Sequence, residues 1–203
     1  MIEKDNHREW IDELKAYAKE NPIPSPNADR LDCPYILETL SDKTKGNAII
    51  CTEVGQHQLW TSLHYTFTKP RTLISSGGLG TMGYGLGAAI GAKVGNPDKK
   101  VINIAGHGCF RMNMNEIATA VREQIPLIQV VVDNSVLGMV HQWQQLFYGE
   151  RYSNTIFSDG VDFCKLAEAM GATAYRAFTR EEFNEVLAKA IESKTPVLID
   201  CII

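Results

Sequence analysis

Residues 100–134 read KVINIAGHGCFRMNMNEIATAVREQIPLIQVVVDN. An apolar run, KVINIAG, stops at two glycines around one polar residue. A stretch of mixed polarity follows, and a second apolar run, LIQVVVD, ends against Asn134. Runs without polar alternation are strands buried on both faces, and a helix between two of them makes a parallel pair. Working outward, the pattern recurs in AIICTEV (48–54), TLIS (72–75), TAYRAF (173–178) and PVLIDCI (196–202), with helical stretches between. The expected fold is therefore α/β, a doubly wound parallel sheet with helices on both faces. Ligands in such sheets bind beyond the carboxyl ends of the strands.

Before the first strand, residues 6–19 have helical spacing, with Trp10, Leu14 and Tyr17 on one side. NPIPSPNAD then reads as a linker. The expected division is 1–31 for the N-terminal helix and linker and 32–203 for the sheet domain. Asp32 is the expected N-cap of a helix with Pro34 in its first turn, and Thr179 with Glu182 forms a capping box for the last helix.

Composition narrows the function classes. The chain has 203 residues and 44% hydrophobic content, enough for one buried core. Twenty Lys and Arg against 24 Asp and Glu give a net charge of −4. That balance, with no basic stripe, argues against nucleic-acid binding. No apolar run reaches the ~18 residues of a membrane helix, so no membrane partner is expected. The polar start, MIEKDNHREW, does not resemble a signal or transit peptide. The five cysteines, at 33, 51, 109, 164 and 201, form neither a disulfide framework nor a CxxC metal site. Reduced thiols and a cytoplasmic location are expected.

The segments after the strands carry the chemistry. SGGLGTMGYGLGAAIGAK contains Gly78-x-Gly80-x-x-Gly83, the spacing of a dinucleotide fingerprint. The next strand lacks the terminal carboxylate that would hold a ribose, so a nicotinamide-dependent oxidoreductase ranks as an alternative. Gly87 and Gly91 read as close-packing positions of a helix on the sheet, and Gly80 and Gly83 as backbone approach to a ligand. Gly106-His107-Gly108 presents free amides suited to phosphate. By themselves, His57 reads as an exposed helix residue and Asn134 as a turn residue.

Together, GHGCFRMNMNEIATAV and the downstream VVVDNSVLGMVHQWQQLFY resemble the thiamin-diphosphate motif. TEVGQHQLW, PRTLISSGGLGTMGYGLGAAIGAK and LGMVHQWQQLFYGERYS further resemble the large subunit of acetolactate synthase (acetohydroxyacid synthase). The resemblance implies the thiamin-diphosphate-binding fold. It implies diphosphate contacts from Val54, Gly55, Gln56, His57, Gly108 and Cys109, the last standing where the family usually has Ser. It implies Mg²⁺ ligands at position 107, the Asn134 side chain and the Val136 carbonyl. Met82 would hold the cofactor bent, Gly80 and Met139 would line its pocket, and Trp143 would stand at the substrate channel.

The implied reaction decarboxylates pyruvate and joins the product to a second 2-oxo acid, in branched-chain amino acid biosynthesis. The activating glutamate is expected from a pyrimidine-binding domain or subunit in a homo- or hetero-oligomer, and no catalytic residue is expected in these 203 residues. Glu53 belongs to the diphosphate-side motif. The resemblance is to the C-terminal third of the longer enzymes, and FAD is not expected here. Two departures stand out. Gly87 replaces a usual Pro, and His107 replaces the family's Asp, which predicts a weakened Mg²⁺ site. A softer cation, or a direct phosphate contact by His107, would be the other outcomes. A degenerate, non-catalytic partner domain is the second alternative.

Overall fold

The computed structural model describes residues 7–203. Its six strands are β1 (Ile49–Thr52), β2 (Leu73–Ser75), β3 (Val101–Gly106), β4 (Ile128–Asp133), β5 (Thr173–Ala177) and β6 (Val197–Ile202). All pairings are parallel, in the order β2-β1-β3-β4-β6-β5. All six apolar runs are thus strands, and the sheet is the parallel one the sequence predicts. Alternate residues of the central strands enter two cores. Ile102, Ile104, Ile128, Val130 and Val132 face one side, and Val101, Ala105 and Val131 the other.

The first core is closed by α2 (Cys33–Thr44), α3 (Gln56–His64) and α9 (Arg180–Glu192). The second is closed by α4 (Tyr84–Gly95), α5 (His107–Asn113), α6 (Glu116–Arg122) and α8 (Phe163–Ala169). Two helices bury no residue: α1 (Arg8–Glu20) and α7 (Gly138–Phe147). Residue 6, the expected start of the first helix, lies outside the described residues. Among those residues, no helix is long and apolar enough to cross a membrane.

Both expected caps form. The Asp32 carboxylate accepts from the Tyr35 amide at 2.9 Å, with Pro34 in the first turn, and Thr179 and Glu182 make a reciprocal capping box. The glycines need correction. At Gly87 and Gly91 an added Cβ would meet nothing within 4 Å, so neither is a close-packing position. The tight glycine of α4 is Gly85, where a Cβ would run into the Asn103 side-chain amide and come within 2.9 Å of Glu53 Oε1.

The chain leaves β1 toward β2 on one side and reaches β3 on the other, so the order reverses between β1 and β3. Loops diverge at such a point and leave a crevice at the carboxyl ends of the strands.

Candidate functional site: a cavity at the β1/β3 crevice

A cavity of about 250 Å³ opens at that crevice. Its walls come from the segments after β1, β3 and β4. They include Val54, Gly55, Gln56 and His57, then Gly106, Gly108 and Cys109, then Asn134 and Val136 through Val140, with Met82 and Trp60 beside them. Three helices, α3, α5 and α7, begin at this wall, and none has a side-chain N-cap. Elsewhere the pattern is mixed: α8 and α9 are capped by Asp162 and Thr179, α4 and α6 have no side-chain cap, and α2, whose Cys33 also lines the cavity, is capped by Asp32. Uncapped first-turn amides carry partial positive charge, roughly half an elementary charge per helix end. A wall built from three such ends suits an anion of several oxygens.

The local sequence explains the close convergence. Gly55 takes φ 135°, a conformation that side chains rarely adopt, and turns the chain from β1 into α3. The Gln56 side chain donates to Gln142 Oε1 at 3.1 Å and lies against Gly138, where a Cβ would collide with it. The start of α7 is held by a second strip of chain. Leu137 donates its amide to the Thr155 carbonyl and Phe157 to the Ser135 carbonyl, both at 2.8 Å. Within this loop Asn134 Oδ1 accepts from the Val136 amide at 3.2 Å, so Asn134 is a turn residue and a wall residue at once.

Two ionisable groups in the wall are neutral for physical reasons. His57 is buried, not exposed as expected from its position alone, and Nε2 has no hydrogen-bond partner. Burial pushes its imidazole down to about 4. The Cys109 thiol donates to the Val54 carbonyl at 3.0 Å, and burial pushes it up to about 11, so it is no nucleophile. Glu53, just outside the wall, is 1% exposed and accepts from the Leu86 amide at the start of α4. Burial raises its pKa and the amides around it oppose the rise.

Most expected residues therefore meet in one place, and three do not. Gly80, with φ +64°, lies near Val54 outside the wall. Trp143 is 56% exposed on α7. His107 is buried in a packet of its own. Its Nδ1 lies 2.7 Å from Asp133 Oδ1, its ring stacks on Phe157 at 4.5 Å, and Phe163 meets its edge. It does not line the cavity, although its neighbours Gly106 and Gly108 do. Asp133 and Phe157 escaped the sequence reading. An acid at the end of β4 was the available signal for the first, whereas Phe157 arrives from a distant loop.

The cavity fits a diphosphate joined to an apolar ring: free amides on one part, Met82, Leu137 and Met139 on another. It does not fit Mg²⁺ equally well. No carboxylate lines it, Asn134 and Val136 offer the neutral oxygens, and position 107 offers none. Among the described residues no three His, Cys, Asp or Glu side chains gather as a metal site.

The dinucleotide alternative fails on placement. Its glycine run follows the edge strand β2, and an added Cβ on Gly83 would come within 2.9 Å of Met112 Cβ, so Gly83 packs against α5 rather than a ligand.

Comparison with known proteins points the same way. Residues 53–201 match the family described as thiamine pyrophosphate enzyme, C-terminal TPP binding domain. The acetolactate synthase large subunit of Corynebacterium glutamicum is 44% identical over 208 aligned positions, covering 99% of this chain and 33% of that protein. The acetolactate synthase isozyme 2 large subunit of Escherichia coli is 43% identical, covering 84% and 31%. The mitochondrial acetolactate synthase catalytic subunit of Saccharomyces cerevisiae is 40% identical, covering 95% and 29%. The chain thus spans about a third of the length of these relatives.

Proposed function

This chain belongs to the thiamine pyrophosphate enzymes, as their C-terminal TPP binding domain, and from that premise we propose that it is the diphosphate-holding part of an acetolactate-synthase-like carboligase. The observation that carries the reading is the convergence of three helix N-termini without side-chain caps on one crevice cavity. Thiamin diphosphate supplies, when bound, the electron sink for decarboxylating a 2-oxo acid. The protein's work is placement and exclusion of water. Amides at the starts of α3, α5 and α7 hold the diphosphate. Met82 and Met139 press on the apolar part of the ligand and keep water from it. His57 stays uncharged and Cys109 holds its proton, so neither side chain adds charge beside the diphosphate, which is left to the backbone amides.

The substrates in this reading are pyruvate and a second 2-oxo acid. The activating glutamate comes from a pyrimidine-binding domain or subunit, in a homo- or hetero-oligomer, and the product serves branched-chain amino acid biosynthesis in the cytoplasm. Were Mg²⁺ to take part, the neutral oxygens of Asn134 and Val136 would be the groups to hold it, and weakly. The buried His107–Asp133 pair favours one rival, a degenerate cofactor domain that acts through a partner.

Isothermal titration with thiamin diphosphate tests the reading. Asn134→Ala removes a wall residue and is expected to weaken binding about tenfold, the worth of roughly one hydrogen bond to a charged group. Trp143→Ala, outside the cavity, changes it less than about twofold. Equal effects would refute the site as drawn. Restoration of acetolactate formation by a separately expressed pyrimidine domain separates the carboligase from its rival.

A further inference from the structure

We propose that this site takes its diphosphate ligand without a divalent cation, because His107 and Asp133 are hydrogen-bonded to each other in a buried packet away from the cavity. The inference rests on the cofactor reading above and concerns how the same site compensates charge.

The two groups that would matter most to a hard cation are already committed. His107 Nδ1 and Asp133 Oδ1 are 2.7 Å apart, and the same carboxylate oxygen accepts from the Ser135 amide at 2.8 Å. The imidazole lies between Phe157, stacked at 4.5 Å and 15°, and Phe163 at 4.8 Å. Arg111 holds the covering ring in place: it pairs with Asp159 at 2.6 Å and sits 5.0 Å over Phe157. His107 and Asp133 are 4% and 6% exposed, and neither lines the cavity. Swinging either out would break a buried hydrogen bond, and swinging His107 out would also leave a cavity between two aromatic rings, a strongly unfavourable change.

What remains at the wall is neutral. Asn134 Oδ1 is shared with the Val136 amide, and no acidic side chain faces in. Mg²⁺ demands near-octahedral oxygen ligation and gives up water reluctantly, so two neutral oxygens compete poorly with solvent. The diphosphate charge must then be met by backbone amides of the wall, with about half an elementary charge at each of the helix ends of α3 and α7.

The test is titration of the intact chain with thiamin diphosphate, once in excess chelator and once in millimolar Mg²⁺. The expected dissociation constants differ by less than about twofold. His107→Asp sets a second carboxylate beside Asp133. It is expected to lower the melting temperature in chelator, to recover it with Mg²⁺ alone, and to make thiamin diphosphate affinity depend on Mg²⁺ about tenfold. The wild-type melting temperature should not respond to Mg²⁺. Loss of wild-type binding on chelation would overturn this inference and leave the cofactor reading standing. Absence of binding in both buffers would overturn the cofactor reading itself. If His107→Asp does not fold even with Mg²⁺, the wild-type comparison alone decides.

Discussion

At the scale of single residues, the cavity wall is governed by burial. His57 is 6% exposed, has an unpartnered Nε2 and is pushed down to about 4. An unfolded chain protonates the same ring near its ordinary value of 6.5. Between those two values the unfolded state holds the extra proton, so stability falls as pH falls through that window. The loss attributable to this residue is ~2 kcal/mol between pH 7 and pH 4.5. Urea melts of wild type and His57→Asn at both pH values isolate it from the carboxylates that titrate nearby. The stability difference in favour of wild type should shrink by about that amount on acidification. Parallel behaviour of the two proteins would show that His57 is not held neutral by the fold.

At the scale of elements, α4 decides how closely helix and sheet approach. Gly85 lets the helix backbone reach Asn103, which is fully buried, and lets Glu53 accept from the helix's first amides. Gly85→Ala forces these groups apart and is expected to cost ~1–3 kcal/mol, the range for overpacking a core. Gly87→Ala places its methyl in open space on the same helix and is expected to gain up to ~1 kcal/mol from helix propensity. Thermal melts of the pair check this, and the outcome that contradicts it is a Gly85→Ala as well tolerated as Gly87→Ala. The repeated glycines of α4 were visible in the sequence, but which of them touches the sheet was not. That depends on the helix's rotation about its axis, and spacing in a run of glycines and alanines specifies it poorly.

At the scale of the whole molecule, the unmatched feature is apolar surface. Helix α7 buries nothing while Val140, Trp143, Leu146 and Phe147 are 49%, 56%, 63% and 70% exposed. Trp143 and Phe147 meet edge to face at 6.2 Å, so the exposed rings form a patch rather than isolated residues. The structure turns Trp60, Met82 and Met139 into the cavity wall and leaves Tyr84 and Trp143 outside. Contiguous apolar surface of this kind drives association. Light scattering should find the chain self-associated at micromolar concentration. The double variant Trp143→Glu, Phe147→Glu should be shifted toward monomer with stability unchanged within ~0.5 kcal/mol, since neither residue is in the core. An unchanged mass in the variant would place the association elsewhere.

By itself the sequence determined the six strands, their parallel arrangement and the three segments that meet at the site. Each of these follows from local patterning: unbroken apolar runs, glycine turns at strand ends, and capping residues such as Asp32 and Thr179. It also singled out position 107 as the departure. Only the tertiary structure decided what that departure means. The Asp133 carboxylate is 26 residues away in sequence, on the neighbouring strand β4, where Gly106 pairs with Val132. Phe157, the ring that covers the histidine, comes from a loop further on. Side-chain pairing across a sheet is set by register and packing between distant segments, and no periodicity within either segment encodes it. For that reason His107 read as a weakened metal ligand in the sequence, and in the fold it is half of a buried pair.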